Sequence, residues 1–210
     1  MGAFLFCNTI SLYAQNDIRV GLKGGISAYK GNIDFSNVEM NTDYNSGILT
    51  GLFVNFSIHH FISVQPELLY VQKNTGDING LLNDSDTVES AFSYIDLPVL
   101  LQLKFPVNQV FSPFITAGPY IGYLLEAEDT INGVTEDVSE FMKDVHFGLL
   151  FGAGVALGRF YIEARYDLGL ANTIDEDSFL NGSNGGADFL DEVSVNAKLR
   201  GFQFSAGISF

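Results

Sequence analysis

The segment Phe202-Gln203-Phe204-Ser205-Ala206-Gly207-Ile208-Ser209-Phe210 places an apolar residue at every even position and a small or polar one at every odd position from Gln203 onward. Side chains alternate across a strand, so this pattern describes one apolar face and one wet face. An aromatic residue at the tip of such a strand is common where a strand closes a bacterial outer-membrane barrel. Seven earlier segments repeat the alternation: about 17–28, 46–58, 61–73, 92–105 and 113–125, then Val145 to Leu157 and Phe160 to Leu170. Eight such segments predict an all-β chain.

Connections alternate between short and long. Short ones fall at His59-His60, Pro106-Val107-Asn108-Gln109 and Gly158-Arg159, and four segments expected to be loops of well over ten residues separate the other strands. An up-and-down transmembrane barrel has this rhythm, with short periplasmic turns, long outer loops and both termini on the periplasmic side. Closure also removes the unpaired edges that lipid cannot satisfy. The expected fold is therefore an eight-stranded antiparallel transmembrane β-barrel. No run of about 18 uncharged apolar residues follows the first segment, which excludes a transmembrane helix there.

Residues 1–14 read as the remnant of an export signal, apolar up to Ala14 and followed by Gln15-Asn16-Asp17. Residues 15–210 would form the barrel domain. Cys7, the one cysteine, would leave with the signal; Phe4-Leu5-Phe6 before it fit a lipidation box poorly. Disulfides then contribute nothing to the mature chain.

Charge is sorted by position. The net charge is −15, and 20 of the 25 acidic residues fall in the four long segments, around Asp34–Asp43, Asp77–Glu89, Glu126–Asp144 and Asp175–Glu192. Only Lys30 and Lys143 accompany them as bases. Such a polyanionic surface would repel nucleic acid. On the strands, the polar parity carries Arg19, Lys23, Glu67, Lys73, Asp96, Lys104, Glu163, Arg165 and Asp167. Facing lipid at mid-membrane, each would cost about 2–4 kcal/mol. Facing inward they can pair, and eight strands leave a bore that side chains fill. A plugged, salt-bridged lumen is expected.

Four segments carry a family resemblance: Ser63-Val64-Gln65-Pro66-Glu67-Leu68-Leu69-Tyr70, Tyr94-Ile95-Asp96-Leu97-Pro98-Val99-Leu100-Leu101, Pro113 to Gly122, and Ile162 to Leu170. Together they resemble the PorT-type outer-membrane β-barrel proteins of Bacteroidetes-like bacteria. The resemblance covers nearly all of the mature chain apart from the long loops, whose acidity departs from the family. It implies an outer-membrane location and a link to protein secretion. It brings no catalytic motif.

Candidate chemistry is sparse. His59-His60 are adjacent on extended chain, point to opposite sides and would chelate one metal poorly. Asp144 and His146 share a parity near the outer rim and could form an orienting pair for general-base work. No serine nucleophile stands at readable spacing, so His146 is read as structural. Asp84-Ser85-Asp86 and Asp175-Glu176-Asp177 lack the spaced oxygens, central glycine and terminal glutamate of an EF-hand. They are read as solvated loops, with weak calcium or magnesium bridging to anionic lipid headgroups as the alternative. Asn181-Gly182-Ser183-Asn184-Gly185-Gly186 does not lie between a strand and a helix, so it is a loop tip and not a phosphate cradle. Glu67, Glu163 and Asp167 with Arg165 are read as a buried charge lattice. No catalytic, cofactor or metal residue is assigned, and no cofactor is expected. The expected role is a non-enzymatic structural or accessory barrel, with outer-membrane lipid and envelope or secretion proteins as partners. A small barrel enzyme acting on lipid or protein at the outer rim is the alternative.

Overall fold

The computed structural model describes residues 18–35, 38–78, 88–108, 110–131, 134–139, 142–171 and 195–210. The proposed export signal, Asp84–Asp86, Asp175–Asp177 and the glycine-rich tip 181–186 lie outside these. Ten strands follow one another: β1 (Ile18–Phe35), β2 (Val38–His59), β3 (Ile62–Gln72), β4 (Thr75–Ile78), β5 (Val88–Lys104), β6 (Phe111–Ile131), β7 (Val134–Asp137), β8 (Val145–Leu157), β9 (Phe160–Gly169) and β10 (Val195–Ser209).

Antiparallel pairing runs β1-β2-β3-β5-β6-β8-β9-β10, and β10 returns to β1 through Gly21↔Ser209 to Phe35↔Val195. The eight-stranded barrel is thereby closed. Strands β4 and β7 lie on its outer end: β4 pairs with β2 and β5, and β7 folds back on β6. Among the described residues no helix is long and apolar enough to cross a membrane; the strands do the crossing.

Outward positions form a continuous apolar belt. Leu97, Val99, Leu101, Ile121, Phe147 and Phe204 are each about half exposed, from 47 % to 54 %. A water-soluble domain would bury such residues, whereas a lipid-facing wall requires them. Inward positions carry the buried polar and small residues, together with aromatic rings and a few leucines. The alternation read from sequence holds on all eight strands.

Three features depart from the sequence reading. The first acidic segment is not a long loop, because β1 and β2 continue through it and pair as far as Phe35↔Val38, with an irregularity between Tyr29 and Asn32. The third acidic segment likewise begins as a hairpin, Glu128↔Asp137 to Ile131↔Val134. Backbone hydrogen bonds need no apolar belt, so a ladder can continue past the membrane on polar residues. The last strand also starts earlier than Phe202, at Val195.

The short turns have local causes. Leu157 pairs with Phe160, leaving Gly158-Arg159 as a two-residue link, and Gly158 adopts φ 63°, which glycine reaches without a Cβ penalty. Asn108 Oδ1 accepts from the backbone N–H of Val110 (2.9 Å) and Phe111 (2.7 Å), closing the β5–β6 turn.

Candidate functional site

The interior is stacked in layers. Nearest the short turns, Phe53, Phe114 and Tyr161 form an aromatic layer, with the Phe53 and Tyr161 rings edge-on at 5.3 Å. Above it lies a tier of two cations and two carboxylates. Arg165 donates to both oxygens of Glu67 (2.7 and 2.7 Å) and pairs with Glu163 Oε2 (2.8 Å). Lys23 donates to Glu67 at 3.0 Å and stands 3.6 Å from Glu163. Thr116 Oγ1 and Gln65 Nε2 supply further donors to Glu163 and Glu67. The tier is neutral in sum, so its desolvation is offset by short, multiply bonded pairs.

A second tier is built on Lys73, which follows the end of β3. Its ammonium meets Asp96 Oδ2 at 2.9 Å, His146 Nε2 at 2.9 Å and Asp167 Oδ2 at 3.2 Å, with the Tyr120 hydroxyl oxygen at 3.5 Å. The rings of Tyr29, Tyr94 and Tyr120 surround the same charge, 5.3, 5.3 and 4.5 Å from their centroids. Tyr29 in turn donates to Asp167 (2.6 Å) and accepts from Gln203 (2.7 Å). Farther out, Phe92, Tyr94, Leu124 and Ala127 form an apolar layer, with Val138, Met142 and Leu199 against it.

Close strand neighbours make room for these rings. Six inward aromatic or imidazole rings each stand directly opposite an inward glycine: Phe53 on Gly21, Tyr29 on Gly201, Tyr161 on Gly207, Tyr120 on Gly148, Phe114 on Gly154 and His146 on Gly122. A Cβ at Gly122 would fall 2.0 Å from His146 Cε1 and 2.2 Å from Asp96 Oδ1. Small residues opposite large ones fit the narrow bore.

Of the residues singled out in the sequence, Glu67, Glu163, Arg165 and Asp167 are buried in the lumen as expected, joined by Lys23, Lys73 and Asp96. Asp144 and His146 do not form the orienting pair that their shared parity allowed, and His146 sits in a structural setting. Asp144 precedes the start of β8 and is exposed, while His146 is buried with Nε2 against Lys73 and 3.4 Å from Asp96 Oδ1. The chain bends before Val145, so shared parity does not extend to Asp144. His59 and His60 are both exposed at the β2–β3 turn. Among the described residues no group of three or more His, Cys, Asp or Glu could hold a metal. Sequence reasoning missed the Lys73–Asp96–His146 contact, whose members stand on β3's end, β5 and β8. It also missed the inward Leu49, Leu69, Leu100 and Leu150.

A closed barrel of eight strands, apolar outside and charged within, is the geometry of an outer-membrane protein. The family model described as "Outer membrane protein beta-barrel domain" matches residues 13–175. The chain belongs to that outer-membrane β-barrel family. The match stops short of β10, the strand that closes this outer-membrane β-barrel. No curated protein matches the sequence. Among solved structures, the attachment invasion locus protein Ail of Yersinia pestis is 14 % identical, covers 91 % of this chain and 98 % of its own, and has a TM-score of 0.42. Neisserial surface protein A is 10 % identical, with 91 % and 97 % covered and a TM-score of 0.44. The outer membrane protease OmpT of Escherichia coli is 11 % identical, with 97 % and 99 % covered and a TM-score of 0.40.

Proposed function

We propose that this protein is a non-enzymatic structural or accessory component of the outer membrane, sealed through its lumen and acting through its two ends. The observation that carries the reading is the transverse lattice centred on Arg165 and Lys73, whose charged side chains are all at most 5 % exposed. An ion crossing the barrel would have to break pairs that are buried and multiply bonded, and one partner removed costs about 3–5 kcal/mol. The aromatic layer below and the apolar layer above add to the seal. His146 is consumed as an acceptor for Lys73, which supports a structural rather than a catalytic histidine. The resemblance to PorT-type barrels supports a role beside a protein-secretion apparatus, with lipid around the belt and envelope proteins at the ends.

Planar-bilayer recording of the refolded protein tests the seal. Absence of steady channel current is expected, and a large steady conductance would sink the proposal. Crosslinking in cells and purification from outer membranes tests the accessory role: a recurrent near-stoichiometric envelope protein is expected, and recovery of lipid alone contradicts it.

A further inference from the structure

Below the aromatic layer the barrel is not filled. A cavity of roughly 780 Å³ opens at the short-turn end, which in outer-membrane barrels faces the periplasm. That volume is typical of small-molecule sites. Its lining includes Arg19, Lys104, Arg159, His59 and His60, and among the described residues that line it there is no aspartate or glutamate. The chain as a whole carries 25 acids against 10 lysines and arginines, so a cavity whose described lining residues include bases and no acid departs sharply from the average composition. We propose that this vestibule binds the oxyanion group, carboxylate or phosphate, of a ligand presented from the periplasm.

The vestibule is built and not merely basic. Lys104 Nζ is held by Asn55 Oδ1 at 2.9 Å and Ser57 Oγ at 3.5 Å. Asn55 Nδ2 then donates to Gln65 Oε1 (2.8 Å) and Gln102 Oε1 (3.0 Å). Gln65 Nε2 passes the chain on to Glu67 at 2.7 Å. Asn55 and Gln65 each turn the amide oxygen toward the Lys104 side and the N–H toward the Glu67 side, so this series is polarised with its cationic end at the cavity. Cations of one sign in a concave, low-dielectric wall focus their field on what enters. The guanidinium groups add planar forks that match a carboxylate or phosphate. Phe53, Phe114 and Tyr161 at the floor offer apolar contact to the rest of such a ligand.

The test uses the refolded protein in uncharged detergent, titrated calorimetrically with citrate and, separately, with inorganic pyrophosphate. Saturable binding of at least one anion, near one equivalent, is expected, and its affinity should fall as salt rises. Citrate alone would assign a carboxylate ligand, pyrophosphate alone a phosphate ligand, and both the shared oxyanion chemistry. The double variant K104Q/R159Q should lose at least tenfold in affinity, as should Arg159→Gln alone to a lesser degree; Arg159 lies on an exposed turn, so its variant folds independently of the lattice. Lys30→Gln, at the opposite end, should bind as the parent does. No saturable binding of either anion, or undiminished binding by a folded Arg159→Gln and K104Q/R159Q, overturns the proposal.

Discussion

Arg165 and Asp96 are both buried charges, yet their removal should affect the barrel to very different degrees. Arg165 makes three contacts of 2.7–2.8 Å with Glu67 and Glu163. Arg165→Met leaves two buried carboxylates with Lys23 as their one remaining cation, and the expected loss is about 3–5 kcal/mol. Asp96 stands in a tier where one ammonium, Lys73, faces two carboxylates. Its Oδ1 accepts no hydrogen bond among the described residues and lies near an acceptor nitrogen of His146. Asp96→Asn removes the surplus charge, keeps an oxygen for Lys73 and places an N–H beside His146, so stability should change by no more than about 1 kcal/mol, in either direction. Urea unfolding in lipid vesicles compares the two. An Asp96→Asn barrel as damaged as Arg165→Met would show that the tier needs both carboxylates.

At the scale of strands, the glycine–aromatic pairs explain why a chain of wide side chains closes at eight. A Cβ on Gly154 would meet the Ile162 carbonyl oxygen at 2.4 Å and the Phe114 ring at 2.4 Å, whereas one on Gly24 would have only the Leu49 carbonyl oxygen at 3.8 Å. Gly154→Ala should therefore cost about 1–3 kcal/mol through overpacking, and Gly24→Ala should be neutral or stabilise by up to about 1 kcal/mol. Equal thermal shifts of the compact, heat-modifiable band would refute this account. Strand existence and facing were legible in the sequence because parity is a local property: Phe204 and Gln203 declare opposite faces without reference to any partner. The inward leucines were harder, since in Leu68-Leu69 or Leu149-Leu150 one residue goes each way and the apolar content hides which is the exception. Register was not legible at all. Phe53 rests on Gly21 through the pairing of β1 with β2, and Tyr29 on Gly201 only because β1 pairs with the distant β10. The hairpin at Phe35↔Val38 was missed for a different reason, as acidic residues read as loop even where the ladder continues.

Seen whole, the molecule is inverted relative to a soluble barrel, and its described charges are graded along the axis: Glu126, Glu128, Asp129 and Asp144 toward one end, a paired lattice in the middle, and a basic vestibule at the other. Closure satisfies every spanning strand, so the outer wall can be apolar throughout without exposing an edge. This makes the cost of an outward charge depend on depth and on little else. Val99 lies midway along the outward apolar positions of β5 from Ile95 to Leu103, and is 50 % exposed. Val107 is 68 % exposed in the short β5–β6 turn. Val99→Arg should cost about 2–4 kcal/mol and Val107→Arg about 1 kcal/mol or less, since the penalty fades toward the interface. Both sites are open to solvent in a detergent-free aqueous view, so exposure alone predicts no difference between them. Folding titrations into vesicles decide between the two. A penalty confined to Val99 places β5 across the bilayer; equal tolerance at both would mean that this face does not meet lipid.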